Sequence, residues 1–147
     1  MLRFTISGRI AKPVHEVFQA VADPAKLSGY FTTGGAQGHL EQGSTVTWDF
    51  ADHPGAFPVE VVEVQPDRRI VLHWGAAGGD PAYTTVTMDF EGLDDGRTLV
   101  SITEEGWHET PEAQRAAFGN AEGWTGMLCA MKAYLEHGIN LREGFYA

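Results

Sequence analysis

Cysteine is almost absent from this sequence: the 147 residues contain one, Cys129. A single cysteine excludes a disulfide within the chain and any metal site built from several thiolates. Cys129 follows Leu128 in a predicted helix, and its sequence neighbours offer no cation that would favour a thiolate. These surroundings predict a buried, unreactive thiol.

Positive charge is also scarce, with 10 Lys and Arg against 20 Asp and Glu and a formal net charge of −10. Such an excess of negative charge argues against nucleic acid or an anionic membrane surface as a partner. No apolar run is long enough to span a bilayer, and residues 1–5 lack the apolar stretch of a signal peptide. The sequence therefore predicts a cytoplasmic protein that does not act at a membrane.

Motifs for metals, cofactors and nucleophiles are missing as well. The six histidines are scattered, and no two have the spacing of a helical metal-binding pair. The glycine-rich segments 34–35 and 75–79 match no phosphate-binding motif, and no serine nucleophile motif occurs. We therefore expect no metal and no cofactor.

Repeats, low-complexity tracts and linkers are absent too, and 43% of the residues are hydrophobic. A chain of this length and composition can bury a substantial core. The sequence thus predicts a single domain over residues 1–147.

The most distinctive stretch is a predicted long helix over residues 110–138. Thr110 is a good N-cap, Pro111 suits the first helical position, and Gly138 suits the residue after the helix. One apolar stripe recurs at steps of three and four residues. It comprises Ala117, Ala121, Trp124, Leu128, Met131 and Leu135, widened by Phe118 and Tyr134.

Three glycines interrupt this helix, at positions 119, 123 and 126. Each weakens a helix by about 1 kcal/mol relative to alanine. One interpretation is a break near Gly119 and Asn120, with the helix starting at Ala121. The other is that glycine lets another part of the molecule approach the helix closely. The sequence favours the break.

The rest of the chain reads as one strand, two short helices and a series of hairpins. Residues 2–10 alternate as a half-buried strand, a helix begins at Lys12-Pro13, and a second short one follows Asp23-Pro24. Glycines 34, 35 and 38 predict a loop, and residues 52–55 a turn. Further strands are predicted over residues 44–50, 57–64 with a bulge near Val61, 69–74, 83–90 and 97–105.

This order predicts an α+β fold, because the helices are separated from consecutive antiparallel strands. The sheet should curve around the apolar stripe of the last helix. Such an arrangement often leaves a cavity between helix and sheet, and a cavity lined by aromatic rings is a ligand site by default.

Several segments also resemble a known family. They are residues 12–18, 23–27, 30–31, 58–64, 69–74 and 96–104, and the helical positions Gly123, Trp124, Leu128, Tyr134 and Leu135. Together they are similar to the SRPBCC superfamily, in the branch named after the activator of the heat-shock-protein-90 ATPase. The resemblance implies the helix-grip fold of START domains and the birch-pollen allergen. Tyr30 departs from the pattern, where tryptophan is common. The family shares no catalytic motif, so the fold leaves the function open.

Glu104 is the sharpest candidate for chemistry. Strand alternation places it on the same face as Val100 and Ile102, which should face the helix. A carboxylate there would lose its water and serve as an acid, a base or a polar anchor. Because removing an ionised carboxylate from water is unfavourable, we expect Glu104→Gln to stabilise the unliganded protein. The alternative is that the strand ends before Glu104 and the carboxylate stays in water.

The aromatic residues suggest the wall of a cavity, since four tryptophans are many for packing alone in so small a domain. Tyr83 is expected at the cavity rim, whereas His73 should face solvent. The predicted ligand-binding residues are Trp48, Phe50, Trp74, Tyr83, Met88, Glu104, Trp107, Phe118, Trp124 and Leu128.

Three functions fit these features. The favoured one is binding of a small hydrophobic or aromatic molecule between the last helix and the sheet. The second is a polyketide-cyclase-like enzyme with Glu104 as acid or base. The third is an interaction domain that regulates a chaperone ATPase, marked by an exposed apolar patch. A second copy of the chain, in a homodimer, and a chaperone are the macromolecular partners that the sequence leaves open.

Overall fold

The computed structural model describes all 147 residues, and its centre is one antiparallel sheet of seven strands. The strands are β1 (Leu2–Ile10), β2 (Gly35–Gln37), β3 (Thr45–Phe50), β4 (His53–Gln65), β5 (Arg69–Gly75), β6 (Tyr83–Gly92) and β7 (Thr98–Trp107). The helices are α1 (Val14–Ala22), α2 (Pro24–Leu27) and α3 (Pro111–His137), with a short 3₁₀ turn over Ala77–Gly79.

The spatial order of the strands is β1-β7-β6-β5-β4-β3-β2. The first strand, β1, is therefore an edge strand that pairs with the last strand, β7. Helix α3 packs across both of them. This confirms the α+β helix-grip fold. No helix combines the length and the apolar character that crossing a membrane requires.

The two short helices form as predicted. Asp23 separates them: it ends α1 and caps α2, its carboxylate accepting a hydrogen bond from the Ala25 N–H at 2.9 Å. Pro24 fits the first position of α2, where a missing N–H costs nothing.

Helix α3 runs unbroken over 27 residues, so the predicted break near Gly119 is wrong. Thr110 caps it by accepting from the Ala113 N–H at 3.1 Å, and Gly138 ends it in the left-handed region at φ 68°. Ala117 and Trp124, on either side of Gly119, are both buried against the sheet. Packing on both sides outweighs the local weakness of one glycine.

Two strand boundaries differ from the prediction. Residues 35–37, predicted as a loop, form β2, in which Ala36 pairs with Trp48 of β3. The predicted turn over residues 52–55 is only Ala51-Asp52, and β4 already begins at His53, opposite Phe50. Both segments form strand hydrogen bonds with β3. Alternation of apolar and polar residues within a segment does not reveal such pairing with another strand. The bulge predicted near Val61 is present between Val61 and Glu63.

The core lies between the sheet and the three helices. Trp48, Met88 and Leu128 belong to it, with exposed fractions of 5% or less. Tyr30 is buried completely, and its hydroxyl donates a 3.0 Å hydrogen bond to the Ala20 carbonyl. Burial, with a smaller contribution from Tyr134, raises the pKa of Tyr30 well above 10.0.

This buried phenol should make the fold sensitive to alkali. Tyr30 keeps its proton in the folded state while the phenol of the unfolded chain loses its own near pH 10.0, so stability falls as pH rises above that value. We expect Tyr30→Phe to flatten the dependence of the unfolding free energy on pH above about 10. Urea denaturation of both proteins across the alkaline range measures it; identical slopes would contradict the assignment.

Candidate functional site

Glu104 points inward from β7, on the face that also carries Val100 and Ile102, and its exposed fraction is 0%. The strand continues to Trp107, so the carboxylate does not lie at a solvated strand end. Strand alternation therefore gives the correct direction for this side chain.

Four neutral donors converge on the Glu104 carboxylate. Oε2 accepts from Trp74 Nε1 at 2.9 Å, from Thr84 Oγ1 at 2.7 Å and from Asn120 Nδ2 at 3.0 Å. Oε1 accepts from Trp124 Nε1 at 2.8 Å and from Asn120 Nδ2 at 3.1 Å. No Lys, Arg or His lies in contact, so hydrogen bonds alone compensate the lost hydration.

These bonds connect four elements of the fold. Trp74 comes from β5, Thr84 from β6, and Asn120 and Trp124 from successive turns of α3. The carboxylate therefore fixes the helix to the sheet and orients two tryptophan rings side by side, with centroids 5.1 Å apart. Glu104 is a structural anchor in this arrangement.

A cleft of about 430 Å³ opens beside this network, between α3 and the end of the sheet. We call it the aromatic cleft. Its lining residues are Phe31, Phe50, Asp52, His53, Trp74, Gly119, Asn120, Gly123, Trp124, Arg142 and Tyr146. Glu104 is not among them and lies beneath the cleft.

The cleft walls are rings in mutual contact. Phe31 stacks on Trp124 with centroids 5.5 Å apart and meets Phe50 edge-on at 4.9 Å. Trp74 contacts Trp124 from the other side. Such a surface offers flat faces and edges to an apolar or aromatic molecule.

Two of the three helical glycines keep the cleft open. A Cβ added at Gly119 or Gly123 would meet no atom within 4 Å. At Gly126 the situation is the reverse, because a Cβ would lie 2.5 Å from the Tyr146 hydroxyl. The predicted close approach to the helix therefore occurs at Gly126, and the approaching group belongs to the C-terminal residues.

Arg142 covers one side of the cleft. Its Nε and Nη2 donate to the Asp52 carboxylate at 2.8 and 2.9 Å, a bidentate ion pair with the hairpin between β3 and β4. The guanidinium also lies over the Phe50 ring, 4.5 Å from its centroid.

The predicted ligand-binding residues separate into several groups. Phe50, Trp74 and Trp124 line the aromatic cleft. Trp48, Met88 and Leu128 fill the core. Trp107, expected at the cavity wall, is buried elsewhere: it stacks on Phe4 at 5.7 Å and does not line the cleft.

Three side chains point elsewhere than predicted. Phe118 is 74% exposed, because it lies about 120° around the helix from Trp124. Tyr83 is 49% exposed and stacks on His73 on the outer face of the sheet; Thr84, the next residue, faces inward. Cys129, predicted to be buried, is exposed on the outer side of α3.

Most of the polar residues around the site were not predicted from the sequence. Thr84 was recognisable by alternation, since it falls on the inward face with Val86 and Met88. Asn120 lies four residues before Trp124, which places both on one helical face. Asp52, Arg142 and Tyr146 come from a turn and an irregular segment, where no periodicity identifies them.

Comparison with known proteins places this geometry in a family. Residues 11–136 match the family described as Activator of Hsp90 ATPase homolog 1-like protein. No curated protein matches the chain.

Solved structures share the whole fold. Protein SSP2350 from Staphylococcus saprophyticus is 28% identical over 96% of both chains, with a TM-score of 0.81. The Aha1 dimer from Colwellia psychrerythraea is 22% identical over 94% of this chain and 98% of that one, with a TM-score of 0.76. PFC0360w, an HSP90 activator from Plasmodium falciparum, is 22% identical over 92% and 97%, with a TM-score of 0.74.

The match to the family covers the two short helices, and it also covers β7 with Glu104 and α3 with Asn120 and Trp124. The solved structures extend the likeness to the entire sheet. This chain therefore belongs to the family of proteins like the activator of the Hsp90 ATPase, within the SRPBCC superfamily.

Proposed function

We propose that this protein binds a small, flat aromatic or apolar molecule in the aromatic cleft. The observation that carries the proposal is the open space beside Gly119 and Gly123, which line the cleft at the margin of the buried face of α3. Glycine costs the helix stability at both positions, and the space that it leaves is bounded by the rings of Phe31, Trp74 and Trp124.

Size and composition support a small ligand. The volume of about 430 Å³ lies within the usual range for small-molecule sites, roughly 300–1,000 Å³. Such sites combine apolar walls with a few fixed polar groups. Asn120 is a polar group of this kind, because its amide is held by two hydrogen bonds to Glu104.

The geometry favours binding over acid–base catalysis by Glu104. Both carboxylate oxygens already accept hydrogen bonds from groups of the protein, and the side chain does not line the cleft. A general acid or base must come within hydrogen-bond reach of the proton that it transfers. Glu104 instead supports the cleft by holding the Trp74 and Trp124 rings.

A pair of substitutions at Gly123 tests the binding site. We expect Gly123→Leu to weaken binding of the neutral probe N-phenylnaphthylamine at least tenfold, or about 1.4 kcal/mol, because the side chain fills the cleft. Gly123→Ala is the control: its methyl group meets no atom within 4 Å, so binding should persist while helix stability rises by about 1 kcal/mol.

Tryptophan and probe fluorescence follow the titration, and urea denaturation confirms that each variant is folded. If the Leu variant bound the probe as tightly as the original protein does, the probe would bind outside this cleft. If no apolar probe bound the folded protein, the proposal would be rejected altogether.

A chaperone-directed interaction domain is the second candidate. Phe118 is 74% exposed on α3, and it would mark a contact with a partner if it belonged to a larger exposed apolar patch. One structural neighbour is described as an HSP90 activator and another as a dimer, so a chaperone and a second copy of this chain are the partners to examine.

A further inference from the structure

The last nine residues, 139–147, fold back over the outer side of α3 and the aromatic cleft. We call them the C-terminal strap. Arg142 and Tyr146 of the strap line the cleft, and the same two residues line a neighbouring groove of about 610 Å³ on the other side of the strap. The strap therefore separates two open spaces beside α3.

One ion pair fastens the strap to the sheet. Arg142 and Asp52 form a bidentate pair, and their side chains are only 12% and 10% exposed. Three rings surround the guanidinium, those of Phe50 at 4.5 Å, Tyr146 at 5.0 Å and Phe31 at 5.4 Å. All three rings line the aromatic cleft, so the fastening is part of the cleft.

The backbone of the strap is otherwise unattached. The Ile139 N–H donates to the Ala133 carbonyl at 3.2 Å as α3 ends. Beyond it, the backbone hydrogen bonds of residues 140–147 are made within the strap, by the Phe145 N–H to the Arg142 carbonyl and by the Glu143 N–H to the Asn140 side chain. A segment held by side chains alone opens at a small fraction of the cost of global unfolding.

We propose that the C-terminal strap is a gate to the aromatic cleft, with the Arg142–Asp52 pair as its fastening. The gate rests on the proposed ligand-binding function. Lifting the strap removes Arg142 and Tyr146 from the cleft lining and joins the cleft to the neighbouring groove. A flat molecule then reaches the faces of Phe31 and Phe50, and the strap closes over it.

Trypsin cleavage after Arg142 measures the opening without any ligand. The protease must take the arginine side chain into its own pocket, which the closed strap prevents. Asp52→Asn removes the charge that fastens the guanidinium, and losing one member of such a buried pair shifts an equilibrium by tenfold or more. We therefore expect release of residues 143–147, followed by intact mass, to be at least about tenfold faster in Asp52→Asn.

Two further variants complete the design. Asp95→Asn is the matched control, because it makes the same Asp-to-Asn change in an ion pair with arginine far from the strap. Asp95 pairs with Arg97 at a nitrogen–oxygen distance of 2.7 Å, on the exposed hairpin between β6 and β7. The rate of cleavage after Arg142 in this variant should equal that of the original protein. Tyr146→Ala removes an exposed ring of the strap without touching the core, and should accelerate cleavage in the same direction as Asp52→Asn.

Stopped-flow mixing with N-phenylnaphthylamine then tests the gate. Association should accelerate in Asp52→Asn and Tyr146→Ala by about the factor seen in proteolysis, and remain unchanged in Asp95→Asn. Unchanged cleavage in both Asp52→Asn and Tyr146→Ala would overturn the fastening. Faster cleavage with unchanged association would overturn the gate. Absence of probe binding in every variant would instead reject the ligand-binding function.

Discussion

Replacing Trp124 with alanine should lower the free energy of unfolding by about 3–5 kcal/mol, the range for large buried aromatic side chains. Trp124 is 2% exposed at the centre of α3, and its ring contacts Phe31 and Trp74. Its indole N–H also donates to Glu104 Oε1 at 2.8 Å, so the change removes packing and a hydrogen bond to a buried carboxylate together.

Phe118→Ala is the matched control for this measurement. It truncates an aromatic residue of the same helix that is 74% exposed, and such surface changes usually stay within about 0.5 kcal/mol. Urea denaturation followed by far-ultraviolet circular dichroism compares the two variants. If Trp124→Ala lost less than about 1 kcal/mol, the ring would not be a main contact between helix and sheet.

The fold was predictable because periodicity reports which side of an element is buried. Alternation at Val100, Ile102 and Glu104 gave the inward face of β7, and the stripe through Trp124 and Leu128 gave the inward face of α3. Neither pattern shows which residues of separate elements meet. Trp74, Thr84 and Asn120 converge on Glu104 only once β5, β6, β7 and α3 are assembled.

The glycines of α3 show what local helix propensity fails to predict. Helix propensity alone favoured a break near Gly119, but propensity is a weak local preference that tertiary packing overrides. The reason for Gly126 lies in the contact with Tyr146, twenty residues away. No periodicity marks the strap, so the sequence could identify neither this contact nor the Arg142–Asp52 pair.

The buried carboxylate gives the candidate site its rigidity. Trp74 and Trp124 come from a strand and a helix, and without a shared acceptor their N–H groups would be buried without partners. Glu104 satisfies both and sets the distance between the rings. A rigid floor lowers the ordering cost of ligand binding, which is the usual gain from preorganisation.

Substituting glutamine for Glu104 should therefore destabilise the protein, by about 1–3 kcal/mol, the cost of one buried polar group without a partner. This reverses the expectation from the sequence, which considered the lost hydration of Glu104 and not the four donors around it. The Thr84 hydroxyl can rotate, and the Asn120 amide can flip, to accept from the new NH₂ group. The two indole N–H groups can only donate, and one glutamine oxygen does not serve both sides of the carboxylate.

A double-mutant cycle with Trp74→Phe separates this conflict between donors from a general loss of packing. Phenylalanine removes the N–H that faces Oε2, so glutamine then fits with its oxygen towards Trp124 and its amide towards Thr84. The double variant should be more stable than the sum of the single losses predicts, by about 1 kcal/mol or more. Urea denaturation of the four proteins gives this coupling. Strict additivity would mean that Glu104→Gln loses stability through packing in general and not through the conflict between donors. A Glu104→Gln variant more stable than the original would mean that burying the charge costs more than the four donors return.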